Sequence, residues 1–353
     1  MPGALPGETV SVRITQDKKN FLRGEIVEVT GPASGRVRPP CPYVSHCGGC
    51  QYQHAEYAEE LKLKEAQLRE ILPGAIIEPI VAAADPYGYR NSVTLHRTMA
   101  ATPRAQRLGF IGRDNLTPAV VDRCLLADER LSAVFQTKFQ LDKKTDHMSF
   151  KLSESGEIVT DREERFYRVR VGPESLLTSP RGFFQNNLAV AQRLAAKVKE
   201  WVDRAGPEVF FDLYAGPGTF SFLSARQVPE IYCVEDNRHS VEALKMNAAE
   251  RGMNVHVVRG RAERDFPRLY AKRSFGPAVA CVDPPRQGLA PELARFLGAP
   301  GGPETLIYIS CDPATFTRDL KIIMAKGARR LVSAAPFDMF PRTKHIELAA
   351  LIV

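Results

Sequence analysis

The 353-residue sequence has no apolar run approaching the roughly 20 residues that cross a bilayer. Its opening residues, MPGALPGETV, have neither the basic start nor the apolar stretch of an export leader. No membrane partner is expected, and the cytoplasm is the expected compartment. The seven cysteines are an odd number in such a chain, which argues against a disulfide framework. No repeat or low-complexity tract is visible. His96, His147, His239 and His256 are scattered without ligand spacing and read as surface or satisfied core residues. The charge imbalance is small: 48 Lys and Arg against 41 Asp and Glu, a net charge of +7. Nucleic acid is the favoured partner class on that basis, though weakly. With 44% hydrophobic and 25% charged residues, the chain falls among globular proteins with room for two or three domains.

The cysteines that are present fall into groups. Cys41, Cys47 and Cys50 lie in CPYVSHCGGC, whose glycines let the backbone fold tightly around a central ion or cluster. Cys233 and Cys281 sit inside apolar runs and read as core residues. Cys124, in VVDRCLL, and Cys311, in LIYISCDPATF, need another explanation.

Along the chain, TVSVRITQDKKNFLRGEIVEV (residues 9–29) alternates apolar and polar residues on both sides of a DKKN turn and predicts a hairpin. Residues 1–40 therefore form a small β module. Residues 41–75 hold the cysteine cluster and a strongly polar helix at 54–72. Short alternating segments separated by turn residues predict an antiparallel β domain over 76–178. From residue 179 to 353 strands and helices alternate, which predicts an α/β, doubly wound, mostly parallel sheet.

Ligands bind at the C-terminal ends of strands in such a sheet. FDLYAGPGTFSF (211–222) is a strand followed by a glycine turn and a helix, suited to close approach of a ligand to the backbone. The next strand ends at Glu235, where such folds bind ribose hydroxyls. This abbreviated pattern fits S-adenosylmethionine at least as well as a nicotinamide cofactor. In VDPPRQG (282–288) two prolines stiffen the backbone behind Asp283, whose carboxylate can accept hydrogen bonds from a base or amine. One strand later comes Cys311. By position alone it is either a small buried hydrophobe or a thiol facing the crevice.

GFFQNN (182–187), DLYAGPG (212–218), VDPPRQG, YISCDPATFTRDL (308–320) and KHIELAALI (344–352), in this order, resemble the five blocks of the RNA uracil-5-methyltransferases. The resemblance implies a Rossmann-like methyltransferase domain, S-adenosylmethionine as cofactor, RNA as partner and a monomer. It makes Cys311 the nucleophile and Glu347 the general base. Gln185, Tyr214, Glu235, Arg261 and Asp283 become the contacts for S-adenosylmethionine and uracil. Ala215 stands where many members carry cysteine. The N-terminal residues resemble the second half of that family's TRAM module, so a partial β-barrel is expected. In a branch that modifies ribosomal RNA, four cysteines hold a [4Fe–4S] cluster. Cys41, Cys47, Cys50 and Cys124 match that pattern, which favours ribosomal over transfer RNA.

In the chemistry this implies, a thiolate adds to uracil C6, C5 takes the methyl group, and a base removes the C5 proton before the thiolate leaves. The start of the helix after Cys311 is expected to favour the thiolate. Tyr52, His54 and Tyr57 either stack on bases or pack around the cluster. Lys18, Lys19, Arg23, Arg36 and Arg38 either contact phosphate or form a solvated face. Two other functions compete. One is an RNA cytosine-5 methyltransferase, which in the recognised pattern carries Pro-Cys where this chain has Asp283-Pro284-Pro285. The other is a non-catalytic iron–sulfur RNA-binding protein, against which Cys311 and Glu347 argue.

Overall fold

The computed structural model describes residues 2–98, 105–142, 144–272 and 274–353. Strands β1 (Thr9–Lys18) and β2 (Phe21–Gly31) form an antiparallel ribbon turning at Lys19 and Asn20. Its faces are largely exposed, and no further strand among the described residues pairs with it. The hairpin is as expected; the closed part of a barrel is not present.

Helix α1 (Tyr57–Ile71) follows the cysteine segment. It reads as polar throughout, yet it buries Glu60 and Lys64 together with Leu68. The central region contains β3 (Ser92–His96), β4 (Phe110–Ile111), β5 (Pro118–Ala119), α2 (Ser132–Gln136), β6 (His147–Leu152), β7 (Ile158–Thr160), β8 (Tyr167–Val171) and β9 (Glu174–Thr178). The pairings are antiparallel, as expected, but they make three small sheets rather than one: β3-β6-β7, β4-β5 and β8-β9. Residues 76–81, expected in this region, instead run along the outer edge of the C-terminal sheet, where Ile77 bridges Ala334 and Val81 bridges Phe337.

The C-terminal half contains α3 (Leu188–Ala205), β10 (Val209–Leu213), α4 (Thr219–Ser224), β11 (Glu230–Glu235), α5 (Arg238–Arg251), β12 (Val255–Arg259) and α6 (Ala262–Tyr270), then β13 (Ala278–Val282), α7 (Pro291–Leu297), β14 (Thr305–Ser310), α8 (Pro313–Met324), β15 (Leu331–Phe337) and β16 (Glu347–Ile352). Seven strands form one sheet in the order β12-β11-β10-β13-β14-β16-β15, and β16 alone runs antiparallel to its neighbours. Strands β10, β13 and β14 are buried on both faces, which their continuous apolar runs require.

Helix α3 shows how the sequence fixes the layers. Asn187 caps it by accepting from the Val190 amide at 3.3 Å, and Gly206 ends it at φ 55°. Val190, Leu194, Val198 and Trp201 recur on one face and are buried against the sheet. Each such side chain contributes about 1.5–3 kcal/mol by leaving water. The strand order turns back on itself at β10, which has β11 on one side and β13 on the other. That switch point opens the crevice described next.

Candidate active site and cysteine-lined cavity

Each residue predicted to act in catalysis, bind the cofactor or hold the cluster lines one of two cavities. A crevice of about 1420 Å³ is lined by Gln185, Tyr214, Glu235, Arg261, Asp283, Cys311 and Glu347. A smaller neighbouring cavity is lined by Cys41, Cys47, Cys50 and Cys124.

The floor of the crevice is the turn after β10. Tyr214 adopts φ 64° and Gly218 φ 91°; a Cβ on Gly218 would sit 2.3 Å from the Phe222 ring, so only glycine fits. Asp212 secures the turn from below: its Oδ2 accepts from the Ser221 amide at 3.0 Å and the Ser221 hydroxyl at 2.6 Å. Glu235 secures it from the side by accepting from the Gly216 amide and the Asn237 amide, both at 2.8 Å. Burial raises the Glu235 pKa, while these two amides pull it down. Glu235 also lines the crevice, and each carboxylate oxygen has a further lone pair able to accept a hydrogen bond.

The same crevice is lined by Asp283, Cys311 and Glu347, and the Asp283 amide donates to the Leu213 carbonyl at 3.2 Å, beside the turn. The Asp283 loop is clamped by α8: the Leu289 amide and Tyr308 hydroxyl both donate to Asp319 Oδ2 at 2.7 Å, and Arg318 donates to the Gln287 carbonyl at 2.7 Å. Burial, then the charge of Asp212, raises the Asp283 pKa. Burial also raises Glu347 well above the usual carboxylate range, with Asp283 adding to the effect and Arg286 opposing it.

Cys311 differs from expectation in one respect. The first amides of α8 are taken by Asp312, whose Oδ1 accepts from Ala314 and Thr315 at 3.0 Å each. The helix start therefore satisfies a carboxylate instead of stabilising a thiolate. Burial, followed by Glu347 and Asp283, pushes the Cys311 thiol up to about 11, with Arg286 pulling the other way. Arg286 is thus the cation that favours both a thiolate and a carboxylate here. It lies 3.4 Å from His345 Nε2, and burial with Arg286 lowers the His345 pKa to about 4, so that imidazole is neutral near pH 7. Neither residue stood out in the sequence. Phe183 also went unnoticed: it is 63% exposed on the crevice rim, where a flat ring can stack on a base.

In the second cavity burial raises the pKa of the Cys47, Cys50 and Cys124 thiols, Cys50 to about 12. Arg90 lines both cavities and sets a guanidinium beside the thiols. Among the described residues, no three His, Cys, Asp or Glu side chains converge closely enough to hold a single metal ion. Tyr57 is committed to packing, donating to Asp338 at 2.7 Å, and Tyr52 accepts from Gln67 at 2.9 Å. Arg36 pairs with Glu8 and Gly3 within the N-terminal module.

A doubly wound sheet with this glycine turn, the Glu235 carboxyl tied to it, and a thiol and carboxyl at the neighbouring strand ends defines the class of S-adenosylmethionine-dependent RNA methyltransferases. The chain belongs to the tRNA (uracil-5-)-methyltransferase family, whose pattern matches residues 175–353, and residues 1–27 match the TRAM domain. It is 29% identical to an uncharacterised RNA methyltransferase of Clostridium tetani over 419 aligned positions, covering 99% of this chain and 90% of that protein. A relative from Thermotoga maritima with the same description is 26% identical and is covered to 92%. The crystal structure of the Pyrococcus abyssi tRNA (uracil-54, C5)-methyltransferase in complex with S-adenosyl-L-homocysteine has the same fold, with a TM-score of 0.75 at 24% identity, over 100% of this chain and 94% of that one.

Proposed function

We propose that the protein methylates C5 of a uridine in RNA through a covalent bond between Cys311 and C6. The observation that carries this reading is the convergence of Cys311, Glu347 and Asp283 in one crevice with the turn held by Glu235. S-adenosylmethionine, when bound along that turn, supplies the methyl group. Gln185, Tyr214, Glu235 and Arg261 bind and orient it. Asp283, whose pKa burial raises to about 7, can when protonated donate a hydrogen bond to a uracil carbonyl. Cys311, once its proton has passed to solvent, adds as the thiolate to C6, and the displaced electron pair of the C5=C6 bond forms an enolate whose C5 is nucleophilic. After methyl transfer, Glu347 takes the proton from C5, and the C6–S bond breaks to restore the thiolate. Arg286 aids both ionisations.

The cysteine cavity suits a [4Fe–4S] cluster better than one zinc ion. Zinc draws its four ligands to about 2.3 Å from a single point, whereas a cluster needs thiols spread around a cavity. Cys41, Cys47, Cys50 and Cys124 line such a cavity, with Arg90 as a counter-charge. Anaerobically purified protein should be brown and carry about four irons; stoichiometric zinc without iron would reject the cluster. The cysteine set also favours ribosomal RNA as substrate, whereas the solved relative of this fold is a transfer RNA enzyme. Mass spectrometry of 5-methyluridine in ribosomal and transfer RNA from cells lacking the protein tests both the reaction and the substrate. Unchanged 5-methyluridine in every RNA would refute the reading, and loss of 5-methylcytidine instead would favour the cytosine alternative.

A further inference from the structure

The loop joining β15 to β16, residues 338–346, presents His345 to the crevice and leads directly into Glu347, the first residue of β16. At its apex Arg342 is buried in a left-handed conformation, φ 66°, which the surroundings must enforce. The surroundings are the cysteine segment and α1. The Arg342 carbonyl accepts from the Gln51 and Tyr52 amides at 2.9 and 3.0 Å. Its amide donates to Glu60 at 2.7 Å, and its guanidinium donates to the Ala55 carbonyl at 2.8 Å. The buried Lys64 ammonium joins Glu60, at 2.7 Å, to Asp338 of the loop, at 2.6 Å.

Gln51 has two partners. Its Oε1 accepts from the Lys344 amide at 3.0 Å, three residues before Glu347, and its Nε2 donates to the Gly48 carbonyl at 2.9 Å, between Cys47 and Cys50. One side chain therefore spans from the cysteine turn to the loop that leads into Glu347. Cys311 rests on other supports: β14, and the Ser310 and Asp312 contacts that close its own turn.

We propose that Gln51 and Arg342 are positioning residues that transmit the order of the cysteine turn to Glu347. Removal of the C5 proton then depends on the cysteine segment, and attack by Cys311 does not. This rests on the reaction proposed above, so the test has one arm that needs no RNA.

In that arm, hydrogen exchange of the free protein is followed at the Arg342 and Lys344 amides. Gln51→Met keeps the side-chain length and removes both hydrogen bonds, and should speed exchange at Lys344 by about ten-fold or more. Cys50→Ser should speed exchange at both amides. In the RNA arm, Gln51→Met should form its complex with 5-fluorouridine RNA at a rate within about three-fold of wild type, yet on uridine RNA its covalent complex should decay about ten-fold more slowly. Unchanged protection of Lys344 in Gln51→Met or Cys50→Ser, or formation slowed as much as decay, would overturn the proposal. Failure of the wild type itself to form the 5-fluorouridine complex would overturn the proposed reaction, and the exchange arm would still decide the link.

Discussion

Cys311 and Glu347 are neighbours because two antiparallel strands are: Ser310 of β14 pairs with Leu348 of β16, so the residue after one and the residue before the other stand on the same rung. Each is held by its own strand, and their steps can be separated. Cys311→Ala should abolish methyl transfer and any covalent protein–RNA complex, while leaving S-adenosylmethionine binding close to normal. Glu347→Gln should permit attack and methylation but stall elimination, so a denaturation-resistant complex builds up on uridine RNA. A denaturing gel with labelled RNA and mapping of the crosslinked peptide decides it; an adduct on Cys233 or Cys281 would overturn the assignment.

Glu235 serves the turn and, under the proposed function, the ribose. Glu235→Ala should weaken S-adenosylmethionine binding by about 1–3 kcal/mol, the range for losing a hydrogen bond to a charged group. Glu235→Gln keeps an acceptor for the Gly216 amide and should lose less. Calorimetry that finds both variants equal to wild type would remove Glu235 from the cofactor site.

The thiol of Cys311 is pushed up to about 11, in part by Glu347 and Asp283. In the free protein its alkylation by iodoacetamide should therefore stay slow at pH 8 and climb towards pH 11. Glu347→Gln removes one of the charges that oppose the thiolate and should speed alkylation at pH 8. Peptide mass spectrometry over a pH series checks this, and a variant slower than wild type would contradict the electrostatic account.

Asp212 offers a stability readout. Among the described residues its Oδ1 is buried without a hydrogen-bond partner, and burial pushes its pKa from 3.8 up to about 7. The folded state thus keeps a proton that the unfolded chain releases, so this residue's contribution falls as pH rises from about 4 to about 7 and is level above that. Asp212→Asn still accepts from Ser221 and should gain ~2–4 kcal/mol relative to wild type between pH 5 and pH 8. Urea unfolding at both values tests the sign; a difference that does not change with pH would refute it.

The catalytic half was legible because its signals are local. A strand end, a glycine turn and an acid one strand later lie within a few tens of residues, and the sheet converts that order into a shared edge. What could not be read depends on partners distant in sequence. Helix α1 looked solvated because Lys64 shows no cause for burial until Asp338, 274 residues away, is brought to it. The start of α8 was expected to support a thiolate, and the local competitor Asp312, one residue after Cys311, takes those amides instead. The segment at 76–81 has no pattern of its own, and only its contacts with Ala334 and Phe337 reveal it as sheet edge.

The buried Glu60–Lys64–Asp338 chain also bears on how the protein can be taken apart. Lys64 comes from the first quarter of the sequence and Asp338 from the last tenth, and each is nearly inaccessible to water. A fragment beginning at residue 179 would retain the whole sheet yet leave Asp338 without Lys64 and Arg342 without Glu60. Removing one member of a buried ionic set costs about 3–5 kcal/mol. The cysteine segment and the methyltransferase sheet therefore cannot be exchanged between proteins as separate modules: a graft that carries the sheet must carry α1 with it, or replace all the buried charges at once.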